Sequence, residues 1–162
     1  MLRGPQPGGA LLAHLRTETR PAHDQLEGTL ALLDERLGLD AYRKVIERFY
    51  GFWRNWEPRM ATLFQDAAFL DPRRRMHLLR ADLVALGLSA HAVAMLPTCP
   101  APILRNSVEA LGSLYVMEGS TLGGRVIERN VERCLGLNSR YGACCTIAFG
   151  NVVMTCLGAF WC

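Results

Sequence analysis

Three glycines, Gly119, Gly123 and Gly124, lie in a stretch whose remaining residues read as one long helix, with Gly112 two turns earlier. Each glycine in a helix interior costs about 0.5–1 kcal/mol relative to alanine. The four together cost on the order of 3 kcal/mol. Two uses offset such a cost: a close helix–helix crossing, for which Gly119-x-x-x-Gly123 is a suitable face, or a flat ligand lying against bare backbone. Far upstream, Arg16 and His23 are seven residues apart, two helical turns, and share one side if the helix continues through Pro21. A neutral imidazole ligates a metal such as iron, and a cation beside it holds a ligand carboxylate. Glu27, one turn beyond His23, either orients the ring or is simply solvated. His14, His77 and His91 read as surface or packed residues.

Other chemistries fit less well. Glu118-Gly119-Ser120-Thr121-Leu122-Gly123-Gly124-Arg125 has the outline of a phosphate loop. Arg125 stands where lysine is needed, Val126 where a magnesium-holding hydroxyl is needed, and no strand precedes it. The six cysteines form no CxxC pair, so neither a zinc knuckle nor a disulfide framework is expected. A net charge of +3 with scattered arginines excludes a nucleic-acid surface as the main business of the chain.

The elements that position these residues read as helices separated by turn signals, with no strand alternation before residue 140. A stripe of Leu12, Leu15, Thr19, Leu26, Leu30 and Leu33 carries Arg16 and His23; Pro21 kinks it or opens a second helix. Asp40 is the expected cap of a helix bearing Tyr42, Val45, Ile46, Phe49, Phe52, Trp53 and Trp56, with an end or bend at Pro58. The aromatic stripe is expected in the core. Asp71-Pro72 opens a helix with Met76, Leu79, Leu83 and Leu86, and Gly87 stops it. Arg73-Arg74-Arg75 reads as a solvated face. Pro97–Pro102 is a loop. Asn106 or Ser107 caps the glycine-bearing helix.

The chain of 162 residues suits one core. Met1–Ala10 reads as a loose, disordered tail without a signal peptide, and the cytoplasm is the expected compartment. Residues 141–162 carry no charge and hold four of the six cysteines. A buried core segment, an end altered by a frame change or truncated, and a short membrane tail are the readings open for it. Asn151, the glycines and the lack of flanking positive charge weigh against the membrane.

Two stretches resemble the haem oxygenase family, of the bacterial, biliverdin-producing kind often found with bacteriophytochromes. Leu15-Arg16-Thr17-Glu18-Thr19-Arg20-Pro21-Ala22-His23-Asp24-Gln25-Leu26-Glu27 is similar to the family's proximal helix. Leu114-Tyr115-Val116-Met117-Glu118-Gly119-Ser120-Thr121-Leu122-Gly123-Gly124 is similar to its distal helix. The resemblance covers residues 11–140. It implies an all-α multi-helix bundle with haem between a proximal and a kinked, glycine-containing distal helix. It implies that haem is both substrate and cofactor, cleaved with O₂ and electrons to biliverdin, CO and ferrous iron. His23 is then the metal ligand and Arg16 a cofactor-binding residue at the propionates. Gly119, Gly123 and Gly124 line the distal side, with Gly119, Ser120 and Gly123 as the catalytic candidates. Ser120 stands where animal members carry an aspartate that organises ordered water. Implied partners are a reductase or ferredoxin as electron donor and a bacteriophytochrome as biliverdin acceptor. A non-enzymatic haem-binding domain and an apolar-tailed interaction protein without haem are the competing readings.

Overall fold

A computed structural model describes residues 7–119 and 121–138. It divides into two compact units, Met1–Leu32 and Leu33–Cys162. Every regular element among the described residues is a helix.

The first unit holds α1, Pro7–Leu30, with Pro21 inside it. The helix therefore runs unbroken through the proline, and the split into two helices does not occur. It starts within the stretch Met1–Ala10; Met1–Gln6 lie outside the described residues. An exposed Arg20–Asp24 pair at 2.8 Å stands one turn apart beside Pro21. Ala31 follows α1 with φ +48°, the left-handed setting in which a helix ends and which glycine adopts without strain.

The second unit is built on α2, Leu39–Leu63. Tyr42, Val45, Ile46, Trp53, Trp56 and Met60 recur at helical spacing, and all are buried. Trp53 and Trp56 of the aromatic stripe are thus core, as their spacing predicts, whereas Phe49 and Phe52 are only half-buried. Gly38 rather than Asp40 occupies the N-cap; Asp40 sits in the first turn and pairs with Arg43 at 2.8 Å. Pro58 neither ends nor caps α2, because buried Trp56 and Met60 on either side of it hold the last turns to the core. Short α3, Ala67–Leu70, leads into a 3-10 turn at Asp71–Arg73. The Asp71-Pro72 start signal opens that turn, not the following helix.

That helix, α4, spans Met76–Ala85 and packs on α2 through Leu79 and Leu83. Gly87 ends it with φ +95°. Gly87 N donates to Val84 O at 3.0 Å and Leu88 N to Leu83 O at 3.0 Å, the paired bonds of a glycine-terminated helix. Ser89 caps α5, Ala90–Met95, which buries Val93. The end of α5 and the loop that follows are stitched to α2: Arg54 Nη1 donates to Ala94 O and Leu96 O, and Asn55 Nδ2 to Cys99 O. The stretch read from the sequence as one glycine-bearing helix is helical over α6 (Ser107–Gly119) and α7 (Thr121–Leu135), with Ser120 between them outside the described residues. Asn130 of α7 holds the segment before α2, its Nδ2 donating to Asp34 O at 2.8 Å.

Candidate functional site

The glycine-bearing segment begins with a well-made cap. Asn106 Oδ1 accepts from Val108 N at 3.0 Å and Glu109 N at 2.9 Å, satisfying two of the amides that a helix start leaves free. Glu109 Oε2 in turn accepts from Arg105 N at 2.9 Å. From this start α6 presents two sides. Ala110 and Leu114 are buried, with Leu114 only 4% exposed. Trp56 Nε1 of α2 donates to Ser113 Oγ on that inward side at 2.9 Å.

The other side is open and apolar. Val108 is 78% exposed, Tyr115 57% and Val116 64%, and Leu111 is exposed as well. Gly112 lies on this side, and a Cβ built on it meets nothing within 4 Å. Gly119 falls seven residues after Gly112 and four after Tyr115, so its backbone continues the open side to the end of α6. This stripe of apolar side chains and bare backbone is what a flat apolar ligand would lie against. Gly123 and Gly124 lie in the first turns of α7, where Gly124 is buried. Ser120 lies outside the described residues.

His23 and Arg16 stand on α1 in the other unit. Their backbone positions are two turns apart on one unbroken helix; their side chains, and that of Glu27, lie outside the described residues. His14, His77 and His91 are exposed. No cluster of metal-ligating side chains occurs among the described residues. Cys99 and Cys134 are free thiols.

Sequence reasoning missed two features that shape the second unit. The arginine triplet is not wholly a solvated face: Arg74 keeps an exposed side chain, but Arg75 does not. Arg75 is 3% exposed, with Nη1 donating to Pro72 O at 2.9 Å and Arg74 O at 3.0 Å. Arg73 donates to Phe69 O and lies over the Phe69 ring at 4.2 Å. The hydrogen bond that Arg74 Nε donates to Asp71 Oδ1 pushes the Arg74 guanidinium above its ordinary pKa. The second feature is Glu57, a buried carboxylate of α2. Its Oε1 accepts from Arg75 N, and from Met76 N at 2.8 Å. It thereby caps α4, whose own N-cap residue, Arg75, supplies no side-chain bond. A carboxylate is well placed there, at the positive end of a helix. The sole hint in the sequence was an acidic residue at buried helical spacing in α2.

A small cleft lies between Trp56, Met60, Leu70, Arg73 and Leu114, with about 10 Å³ of free volume, roughly one water. It lies behind α6, on the side of Leu114, and has no bearing on the open stripe. None of the described helices is long and apolar enough to cross a membrane.

A family model described as Heme oxygenase matches residues 9–161. No curated protein and no solved structure matches the chain. The family match runs past residue 140, where the resemblance read from the sequence stops, and takes in nearly all of the uncharged tail.

Proposed function

The chain belongs to the haem oxygenase family, and from that premise we propose that it binds haem and cleaves it with O₂ and electrons to biliverdin, CO and ferrous iron. The observation that carries this beyond family membership is the open side of α6, where Gly112 and Gly119 share a face with exposed Val108, Leu111 and Tyr115. A porphyrin is flat and largely apolar. It gains from the burial of such side chains and needs backbone without Cβ atoms to lie close. The glycines and exposed apolar side chains of α6 are compatible with such a group.

When bound, haem supplies both the iron at which O₂ is activated and the ring that is cut. The remaining work falls to the protein. His23 of α1 is proposed as the iron ligand and Arg16 as the cation for the propionates. Gly119 and Gly123 would keep the helix surface low, so that backbone could approach a flat ring; Gly124, proposed with them from the family pattern, is itself buried. Ser120 is proposed to hold ordered water there for proton delivery, in place of the aspartate of animal members. Electrons come from an external reductase or ferredoxin, and biliverdin passes to an acceptor such as a bacteriophytochrome. Residues 11–140 are proposed as the helical domain, with 141–162 as a distinct uncharged segment.

Titration of purified protein with hemin tests the reading. A Soret band that shifts and saturates at one hemin per chain is expected, and His23→Ala should abolish the shifted form. No shift in the parent overturns haem binding altogether. Reductant and O₂ should then yield biliverdin; a saturating Soret shift without biliverdin favours the non-enzymatic haem-binding domain.

A further inference from the structure

Hydrophobic burial alone does not select which side of α6 turns inward. Apolar residues surround the helix: Val108, Ala110, Leu111, Leu114, Tyr115, Val116 and Met117. Burial is non-directional, and rotation by one residue, about 100°, would trade Leu114 for Tyr115 at little cost in area.

We propose that the hydrogen bond from Trp56 Nε1 to Ser113 Oγ is the pin that sets the rotation of α6, which makes Ser113 a positioning residue for the open glycine side and for a flat ligand laid on it. The bond is 2.9 Å long. Trp56 is 2% exposed, so its N–H has no recourse to water if Ser113 is withdrawn. The indole cannot swing to another acceptor either. It packs edge to face on Trp53, centroids 4.8 Å apart at 76°, and stacks with Phe52 at 6.3 Å and 23°. Turning α6 by one residue in either sense brings Gly112 or Leu114 to the place of Ser113. Neither carries an acceptor, and a buried donor left unpaired is far more costly than the bond itself is favourable. One directional contact therefore decides what several non-directional ones do not: Leu114 inside, with Gly112 and Tyr115 outside.

The rotation stands on the second unit alone. Only its consequence for a ligand rests on the function proposed above, and the test separates the two. Leu114→Cys and Tyr115→Cys are made singly in the full chain, and thiol labelling of each position is followed by peptide mass, apart from the native cysteines. In the parent, position 115 should label fast and position 114 slowly. Adding Ser113→Ala should raise the labelling rate at 114 by about tenfold, the factor of one buried hydrogen bond left unmade. Ser113→Thr, which keeps the hydroxyl, should restore the parent rate. Trp56→Phe, which removes the donor, should match Ser113→Ala, and the two together should add nothing further. Unchanged labelling in Ser113→Ala, or fully additive effects of the two variants, overturns the pin. In the hemin titration Ser113→Ala should weaken binding by about the same factor, with Ser113→Thr like the parent. Faster labelling at 114 with unaltered hemin affinity overturns the link to the ligand. A parent that binds no hemin overturns the proposed function instead, and the labelling result still decides the rotation.

Discussion

Replacing Gly51 by alanine sets two effects of opposite sign against each other. Gly51 lies inside α2, where alanine is normally better by about 0.8–1 kcal/mol. A Cβ at this position, however, would stand 2.5 Å from Pro97 O, 3.1 Å from Cys99 Sγ and 3.2 Å from Cys99 N. Reaching ordinary contact at 3.4 Å requires a separation of about 0.9 Å, and the nearest obstacle is backbone. That backbone is tied to the same turns of α2: Cys99 N donates to Gly51 O at 3.0 Å, Asn55 Nδ2 to Cys99 O at 3.2 Å, and Arg54 Nη1 to Leu96 O at 3.1 Å. Displacing the loop stretches all three. Overpacking costs about 1–3 kcal/mol, and each hydrogen bond lost costs about 1 kcal/mol more. The clash outweighs the propensity gain, so Gly51→Ala should destabilise by about 1–3 kcal/mol. Urea unfolding followed by tryptophan fluorescence measures it, with Gly28→Ala as control, since Gly28 has nothing within 4 Å. A Gly51→Ala protein as stable as the control would refute the reasoning.

The other predictions follow from single contacts. Glu57→Ala leaves the buried amide of Arg75 and that of Met76 without their acceptor, and should lower stability by about 2–4 kcal/mol, with Glu57→Gln milder because it keeps an acceptor oxygen; denaturant midpoints of the two variants check the order. Ala31→Gly, at φ +48°, should raise stability by about 0.5–1 kcal/mol in the same assay. Gly112→Leu adds bulk where there is open space and replaces glycine by a strong helix former, so it should raise apo stability by about 0.5–1 kcal/mol while weakening hemin binding in the Soret titration. Gly119→Leu and Gly123→Leu should block hemin while leaving most helicity in circular dichroism; variants that bind hemin like the parent and lose only stability would assign these glycines to helix packing.

Local chemistry was legible in the sequence, and distant chemistry was not. The apolar spacing of α2, the cap at Asn106 and the stop at Gly87 each depend on residues within a few positions of one another, and all three stand as read. Asp40 failed as a cap because Gly38 precedes it and the helix gains Leu39. Pro58 failed as an end because its local cost of about 3 kcal/mol is met by the burial of Trp56 and Met60 around it. Arg75 is buried by contacts with Pro72 and Arg74 and by a turn that no periodicity reveals. At the site, the glycines and His23 were legible as residue types with a spacing. The open side of α6 was not, since it depends on Trp56 and Ser113, which lie 57 positions apart.

Glycine in a helix has two structural signatures, and this chain displays both. At Gly51 the missing Cβ admits a backbone carbonyl and a cysteine, and the surrounding hydrogen bonds show that the close approach is the purpose. At Gly112 the missing Cβ admits nothing. Its cost in helix propensity is the same, yet no internal contact offsets it, and its neighbours on that side are exposed apolar side chains. A packing role predicts the first signature, and a role toward something outside the second unit predicts the second. Gly119 continues the face of Gly112 by register; for Gly112 the offsetting interaction lies outside the contacts of the described residues. The proposed flat apolar substrate would account for Gly112 and the exposed stripe with one cause.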